Sequence, residues 1–197
     1  MSISPDGKRL ATGGFGDGTI KIFNLETGKE MKSVNVGAGM VVMLQFDAKG
    51  RHVVYNVGAG GIRPLRALDI ETGRSTNISE EIGTLQAVDF SSDGRYMAGV
   101  AQGALVVWDA KSWKEVRRFE GRFSSRSFSA FSRDGSHVAA ADAEGNVRIW
   151  SIEKGREALN LGVVGVPNRA IKFSHDGTKL FVPGKDNKMS VYASRSR

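Results

Sequence analysis

The sequence contains no cysteine among its 197 residues, which excludes disulfide bonds, thiol catalysis and cysteine-ligated metal sites. It also lacks any apolar run of the length that a membrane-spanning helix needs, so we expect no membrane partner. The first residues show neither the charged nor the apolar region of a signal peptide. Together these absences predict a cytoplasmic protein.

Residues that commonly carry catalysis are also scarce. His52 and His137 occupy the same position of a repeat described below, where other copies have Arg9, Tyr96 and Lys179. A position that accepts all these side chains is expected to be exposed and structural. No histidine lies in a cluster with metal-ligand spacing, and no Gly-x-Ser-x-Gly motif is present. We therefore predict no enzyme activity, no catalytic residue, no metal and no cofactor.

The chain is basic, with 28 Lys and Arg against 21 Asp and Glu and a formal net charge of +7. Such an excess can attract polyanions over long distances. The basic residues are spread along the whole chain, which is typical of a solubilising surface. Nucleic-acid or polyanion binding therefore stays open as an alternative.

A seven-residue phrase built around Asp-Gly returns five times, at intervals of 41–44 residues between its glycines. A period of about 40–45 residues is typical of a four-stranded propeller blade. The five copies are Ser4–Leu10, Asp47–Val53, Ser91–Met97, Ser132–Val138 and Ser174–Leu180.

Each repeat also predicts its own strands. Alternating apolar residues lead into the turn and indicate a half-buried strand a, and a short apolar run after the turn indicates a buried strand b. A strand c follows in every repeat, and a Gly-containing hairpin leads from it to a strand d in most of them. The predicted c strands are Thr19–Asn24, Pro64–Asp69, Ala104–Asp109, Asn146–Ser151 and Lys188–Ala193.

The repeated Phe-Ser-x-Asp-Gly phrase, the strand ending in Trp108-Asp109 and the Glu-Thr-Gly-Lys hairpin resemble the WD-repeat β-propeller family. The resemblance implies an all-β fold of four-stranded antiparallel blades. An acidic residue that this family carries in its b–c turn is present as Asp17, Glu144 and Asp186. The Gly-His pair that usually precedes strand a is missing from every repeat, so the repeats are divergent, as in many bacterial-type members.

We predict one propeller segment of about four and a half blades, with repeats at about 1–36, 37–80, 81–121, 122–162 and 163–197. In the family, the last blade ends at strand c and an N-terminal strand closes the ring. The resemblance therefore implies the C-terminal portion of a larger, seven-bladed propeller, with a closed five-bladed ring as the alternative. Open blade edges would favour self-association.

The resemblance further implies a non-catalytic scaffold that docks protein partners on the rim where the d–a and b–c loops open. The alternative is a propeller that binds polyanions or RNA through a basic loop face. Trp113 replaces a hairpin glycine, so its ring either lies back over its own hairpin or contacts a partner. The loop residues predicted to bind a partner are Arg63, Arg66, Arg122, Phe123 and Arg126, together with Trp113.

Overall fold

The computed structural model describes residues 1–58, 64–80, 82, 85, 87–101, 103–124, 127–163, 170–184 and 188–193. Nineteen β-strands and no helix occur in these ranges. The described residues thus include no helix that is long and apolar enough to cross a membrane. Contacts divide the chain into two compact units, Met1–Ala87 and Val88–Arg197.

The first unit contains two four-stranded antiparallel sheets, and in each of them the strands pair in chain order. The first sheet is formed by β1 (Ser2–Ile3), β2 (Arg9–Gly13), β3 (Thr19–Asn24) and β4 (Glu30–Asn35). The second sheet is formed by β5 (Met40–Phe46), β6 (His52–Gly58), β7 (Leu65–Asp69) and β8 (Ser75–Ser79).

The second unit contains three further sheets with the same order of pairing. The third sheet is formed by β9 (Val88–Phe90), β10 (Tyr96–Ala101), β11 (Ala104–Asp109) and β12 (Glu115–Glu120). The fourth is formed by β13 (Ser129–Phe131), β14 (His137–Ala141), β15 (Asn146–Ser151) and β16 (Arg156–Val163). The fifth is formed by β17 (Lys172–Phe173), β18 (Lys179–Pro183) and β19 (Met189–Ala193).

These sheets confirm the predicted fold class, because each one is an antiparallel meander of strands a, b, c and d. Four sheets have all four strands, and the described part of the fifth has strands a, b and c. The c strands predicted at Thr19–Asn24, Ala104–Asp109 and Asn146–Ser151 coincide with β3, β11 and β15. The observed architecture is therefore all-β, with five antiparallel sheets that are consistent with about four and a half propeller blades.

The core of each unit lies between neighbouring sheets. In the first unit, Ile20 and Ile22 of β3 belong to the same buried cluster as Leu44, Tyr55 and Leu68 of the second sheet. In the second unit, one cluster joins the third and fourth sheets and another joins the fourth and fifth. Strands β6 and β11 are apolar because both of their faces are covered, while the d strand β16 is mostly exposed.

Long cationic side chains bridge neighbouring sheets within each unit. Lys32 of β4 donates from Nζ to the carbonyl oxygens of Ile70 and Glu71, both at 2.7 Å. Arg117 of β12 donates to the carbonyl oxygens of Ile152 at 2.8 Å and Glu153 at 3.1 Å. In both cases strand d of one sheet caps the turn that follows strand c of the next sheet.

The aspartates of the repeated phrase hold the a–b turns, because each accepts a hydrogen bond from the backbone N–H two positions later; they are Asp6, Asp93, Asp134 and Asp176. In the fourth sheet, Asp134 Oδ1 accepts hydrogen bonds from Ser132 Oγ at 2.5 Å and from the Ser136 backbone N–H at 3.1 Å. Ser136 Oγ donates to the second carboxylate oxygen at 2.6 Å. Gly135 has a φ of 67°, which the turn requires and glycine adopts without strain.

These turns make the stability of the fold dependent on pH. The hydrogen bonds from Ser132 and Ser136 lower the pKa of Asp134 to about 2, and those from the Thr72 backbone and Arg51 lower the pKa of Asp69 to about 2 despite opposing desolvation. Since an aspartate in the unfolded chain has a pKa near 3.8, the unfolded state binds more protons than the folded state between pH 4 and pH 2. The carboxylates therefore stabilise the fold above pH 4, and this contribution is lost as the pH falls towards 2.

We expect urea denaturation to show a free energy of unfolding that falls steeply between pH 4 and pH 2. Asp134→Asn should be less stable than the wild type at pH 7, and the difference should shrink at pH 2.5 because Asp134 of the unfolded wild-type chain is then mostly protonated, so folding must release that proton. A difference that is the same at both pH values would contradict a stabilising role of the Asp134 charge.

Candidate partner-binding face

Backbone hydrogen bonds hold the b–c loop of the first sheet against the loop that leads to the second sheet. Val36 N–H donates to the Gly18 carbonyl at 2.8 Å, and Val41 N–H donates to the Gly14 carbonyl at 3.2 Å. Asp17 and Gly39 form an isolated bridge between the same two loops. We call residues 14–18 and 36–39 the first loop face.

The approach of these two loops depends on glycine. Gly18 has a φ of 60°, and a Cβ at this position would lie 1.5 Å from the Gly37 carbonyl oxygen. Asp17 fixes the b–c turn by accepting a hydrogen bond from the Thr19 N–H at 3.0 Å, and Asn35 Nδ2 donates to the Asp17 carbonyl at 3.2 Å. The loop face is therefore a hydrogen-bonded frame.

The second unit has the same arrangement between its third and fourth sheets. Gly121 N–H donates to the Gly103 carbonyl at 2.9 Å, and Gly103 N–H donates to the Phe123 carbonyl at 3.1 Å. Ala143 N–H donates to the Arg122 carbonyl at 2.9 Å, which attaches the b–c loop of the fourth sheet. We call Gly103 and residues 121–124 and 142–145 the second loop face. In both units the d–a and b–c loops therefore meet, as the sequence predicts.

An aromatic side chain that the sequence analysis did not select projects from the first loop face. Phe15 is 89% exposed at the tip of the b–c turn. Its neighbours Gly14 and Gly16 provide no side chain to cover the ring, and Gly16 has a φ of 106°. An exposed ring on a fixed loop is a typical anchor for a protein partner. The available signal was a phenylalanine flanked by glycines outside any strand pattern.

Arg122 is the exposed cation of the second loop face. Its side chain is 83% exposed, and its Nη1 atom lies 3.7 Å from Glu144 Oε1. An ion pair this open to water contributes little to stability, so it does little to hold the guanidinium in one place. Arg122 is therefore accessible to a partner, as the sequence predicts for a binding residue.

Phe123 lies next to Arg122 in the chain but points into the core. It is 6% exposed and its ring centroid lies 5.8 Å from that of Trp150, which also stacks on Phe119 at 5.6 Å. The carbonyl of Phe123 belongs to the loop face and its ring belongs to the core between the third and fourth sheets. Its contribution to the loop face is therefore to position the backbone.

The other predicted binding residues are distributed differently. Arg66 lies within β7, half-buried, opposite Tyr55 and Asn77 in the sheet. Arg63 and Arg126 lie outside the residues that the structure describes. Trp113 is 8% exposed, so its ring lies against the protein, as in the first of its two alternatives. Its φ of 58° is within a few degrees of the φ of Gly155, which occupies the same position in the hairpin of the fourth sheet.

The acid that fixes the b–c turn of the fourth sheet is Asp142. Its Oδ1 atom accepts the Glu144 N–H at 3.0 Å and the Asn146 N–H at 2.8 Å, and its side chain is almost fully buried. Glu144, which the sequence analysis aligned with Asp17, is exposed beside Arg122. Asp186, the third acid of that alignment, lies outside the described residues.

The histidine position at the start of strand b is more buried than predicted. His52 and His137 are both half-buried. His52 Nδ1 lies 2.9 Å from Asp47 Oδ2, because the second repeat has aspartate where the others have serine. Burial of Asp47 favours its neutral form, but the hydrogen bonds from His52 lower its pKa overall. Within the described ranges, no three His, Asp or Glu side chains are placed to hold a metal ion.

Comparison with known proteins gives one family. The family profile described as "WD domain, G-beta repeat" matches residues 1–24 and 113–151. The chain is 26% identical to the transcription initiation factor TFIID subunit 5 of Caenorhabditis elegans over 196 residues, which covers 98% of this chain and 30% of that protein.

Two further relatives are similar at the same level. The pre-mRNA-processing factor 19 of Oryza sativa subsp. japonica is 27% identical over 132 residues, covering 64% of this chain and 25% of that protein. The periodic tryptophan protein 2 homolog of Dictyostelium discoideum is 24% identical over 197 residues, covering 98% of this chain and 21% of that protein. The chain thus spans less than a third of the length of these relatives.

Proposed function

Because this chain belongs to the WD-repeat family of β-propellers, we propose that it is a non-catalytic scaffold that binds protein partners at its loop faces. The names of two relatives describe a subunit of a transcription initiation factor and a pre-mRNA-processing factor. The scaffold role for this chain is inferred from that family membership together with the two loop faces.

The observation that carries the proposal is the exposure of Phe15 on a fixed loop. Water covers most of its ring, which is costly unless a partner removes it from solvent. The backbone hydrogen bonds to Gly14 and Gly18 fix the loop before binding, so little conformational entropy is lost when a partner docks. Arg122 provides the second loop face with a cation of the type that is enriched at interfaces.

The test compares loop-face variants with variants in the turns between strands c and d of the first and second sheets. Tagged chains carrying Phe15→Ser or Arg122→Glu are used to capture partners from extract of the source cells, and bound proteins are quantified by mass spectrometry. Leu25→Ser and Arg74→Glu are the matched controls, because both residues are exposed and lie in turns between strands c and d.

We expect the loop-face variants to lose about tenfold or more of the partner signal, the effect of losing one hot-spot residue. The controls should retain it. Equal capture by all four variants, or equal loss in all four, would contradict docking on the loop faces.

RNA binding is the alternative outcome, suggested by the net charge of +7 and by the pre-mRNA-processing relative. It is tested by measuring the affinity for a fluorescent single-stranded RNA oligonucleotide at 50 and at 200 mM salt. Binding through many phosphate contacts should become about 10³–10⁵-fold weaker at the higher salt concentration. RNA binding that falls in this way and is abolished by Arg122→Glu would replace protein docking. We favour a protein partner because the side chain that projects from the first loop face is the apolar Phe15, which is 89% exposed.

A further inference from the structure

The first sheet presents an apolar face that is turned away from the second sheet. Ile3, Leu10 and Phe23 lie opposite one another on β1, β2 and β3, so their side chains share one face. Their chain neighbours Ala11 and Ile22 point the other way and belong to the cluster that packs against the second sheet. Ile3 is 58% exposed, and Leu10 and Phe23 are half-buried. We call Ile3, Leu10 and Phe23 the first open face.

The second sheet buries the residues at the same three positions of the repeat. Phe46, Val53 and Leu68 lie opposite one another on β5, β6 and β7. They are at most 2% exposed, because the first sheet packs against them. The fourth sheet buries the same three positions against the third sheet. The first open face is therefore of the kind that packs against a preceding sheet.

The fifth sheet presents an apolar face of the opposite kind. Phe181 of β18 lies opposite Val191 of β19, and Met189 lies two residues before Val191 on the same side. Their chain neighbours Leu180 and Tyr192 pack in the cluster shared with the fourth sheet, so this face is turned away from that sheet. Met189 is 56% exposed and Val191 is 51% exposed. We call Phe181, Met189 and Val191 the second open face.

In other sheets, the positions of the second open face pack against a following sheet. Ala11, Ile20 and Ile22 hold these positions in the first sheet, and they are at most 1% exposed beside the second sheet. The third sheet uses the same positions against the fourth. The two open faces are therefore the two halves of one kind of contact between sheets, which recurs within both units.

We propose that copies of this chain associate through these faces, with the first open face of one copy packed against the second open face of another. A second copy is the occupant because each chain carries both halves of a contact that the fold already uses between its own sheets. Association removes exposed apolar side chains from water, which is the main source of free energy in such contacts. None of these residues belongs to the loop faces, so the proposal does not depend on partner docking there.

The two open faces differ, so the contact is heterologous rather than two-fold symmetric. A dimer formed in this way still has one free face of each kind, and further copies can add to it. Sedimentation velocity of the purified 197-residue chain tests this directly. We expect the mass to rise with protein concentration through a series of multiples of one chain. A mass of one chain at every concentration would overturn the proposal.

Two variants, each with a charge on one open face, test which faces meet. Ile3→Glu alters the first open face and Val191→Glu alters the second, and both residues are at least half exposed, so folding should be retained. Each variant alone should associate at least about tenfold more weakly than the wild type. An equal mixture should form a dimer and nothing larger, because the unaltered face of one variant fits the unaltered face of the other.

Phe15→Glu and Val163→Glu are the matched controls, because both residues are apolar and exposed and lie outside the open faces. Both controls should associate like the wild type. Circular dichroism verifies that every variant is folded. If the folded Ile3→Glu or Val191→Glu chain associates as strongly as the wild type, or if their mixture contains no dimer, the two open faces do not meet and the proposal is wrong.

Discussion

Trp150→Ala is expected to lower the free energy of unfolding by about 3–5 kcal/mol, the usual cost of truncating a large buried aromatic residue. Trp150 lies on β15 and is 4% exposed. It stacks on Phe119 with 5.6 Å between ring centroids and contacts Phe123 at 5.8 Å. The variant therefore removes the aromatic contacts that join the third and fourth sheets and leaves a cavity behind.

Urea denaturation followed by circular dichroism measures this loss. Phe15→Ala is the matched control, because it removes an aromatic ring that is exposed, and it should change stability by less than about 0.5 kcal/mol. A loss below about 1 kcal/mol for Trp150→Ala would show that the aromatic contacts between these sheets are not a main source of stability.

Gly18→Ala should cost about 2–4 kcal/mol, which is large for the addition of one methyl group. The left-handed φ of 60° accounts for about 1–2 kcal/mol of this cost in a residue with a Cβ. The remainder arises because the new Cβ would lie 1.5 Å from the Gly37 carbonyl oxygen, so the two loops must separate. The hydrogen bond from Val36 N–H to the Gly18 carbonyl is then lost or lengthened.

Gly7→Ala separates these two effects. Gly7 has a φ of 70°, and a Cβ there would meet no atom within 4 Å, so this variant should show only the backbone cost. Thermal denaturation of both variants gives the comparison. If Gly18→Ala and Gly7→Ala cost the same, the close approach of the two loops is not required for folding.

The fold could be predicted from the sequence because the same information is repeated five times. Each copy of the phrase places a turn, and the apolar residues on both sides place the strands, so the predicted bounds of β3, β11 and β15 coincide with those observed. The aspartates of the turns could also be predicted, since their hydrogen bonds join residues two positions apart.

The loop residues were harder to predict because their exposure depends on neighbouring sheets. Phe123 is buried because Trp150, more than twenty residues later, provides a surface for it, and no local pattern reveals this contact. Phe15 has the same side chain in a similar loop and is exposed because only glycines adjoin it.

Site-specific photocrosslinking tests docking on the loop faces most directly. A benzoylphenylalanine residue is placed at position 15, and separately at position 25 as a control in an exposed turn at the other end of the first sheet. Both chains are expressed in the source cells, irradiated and analysed by mass spectrometry. We expect position 15 to crosslink a defined protein that position 25 does not. Crosslinks from position 25 alone, or the same products from both positions, would contradict partner docking on the first loop face.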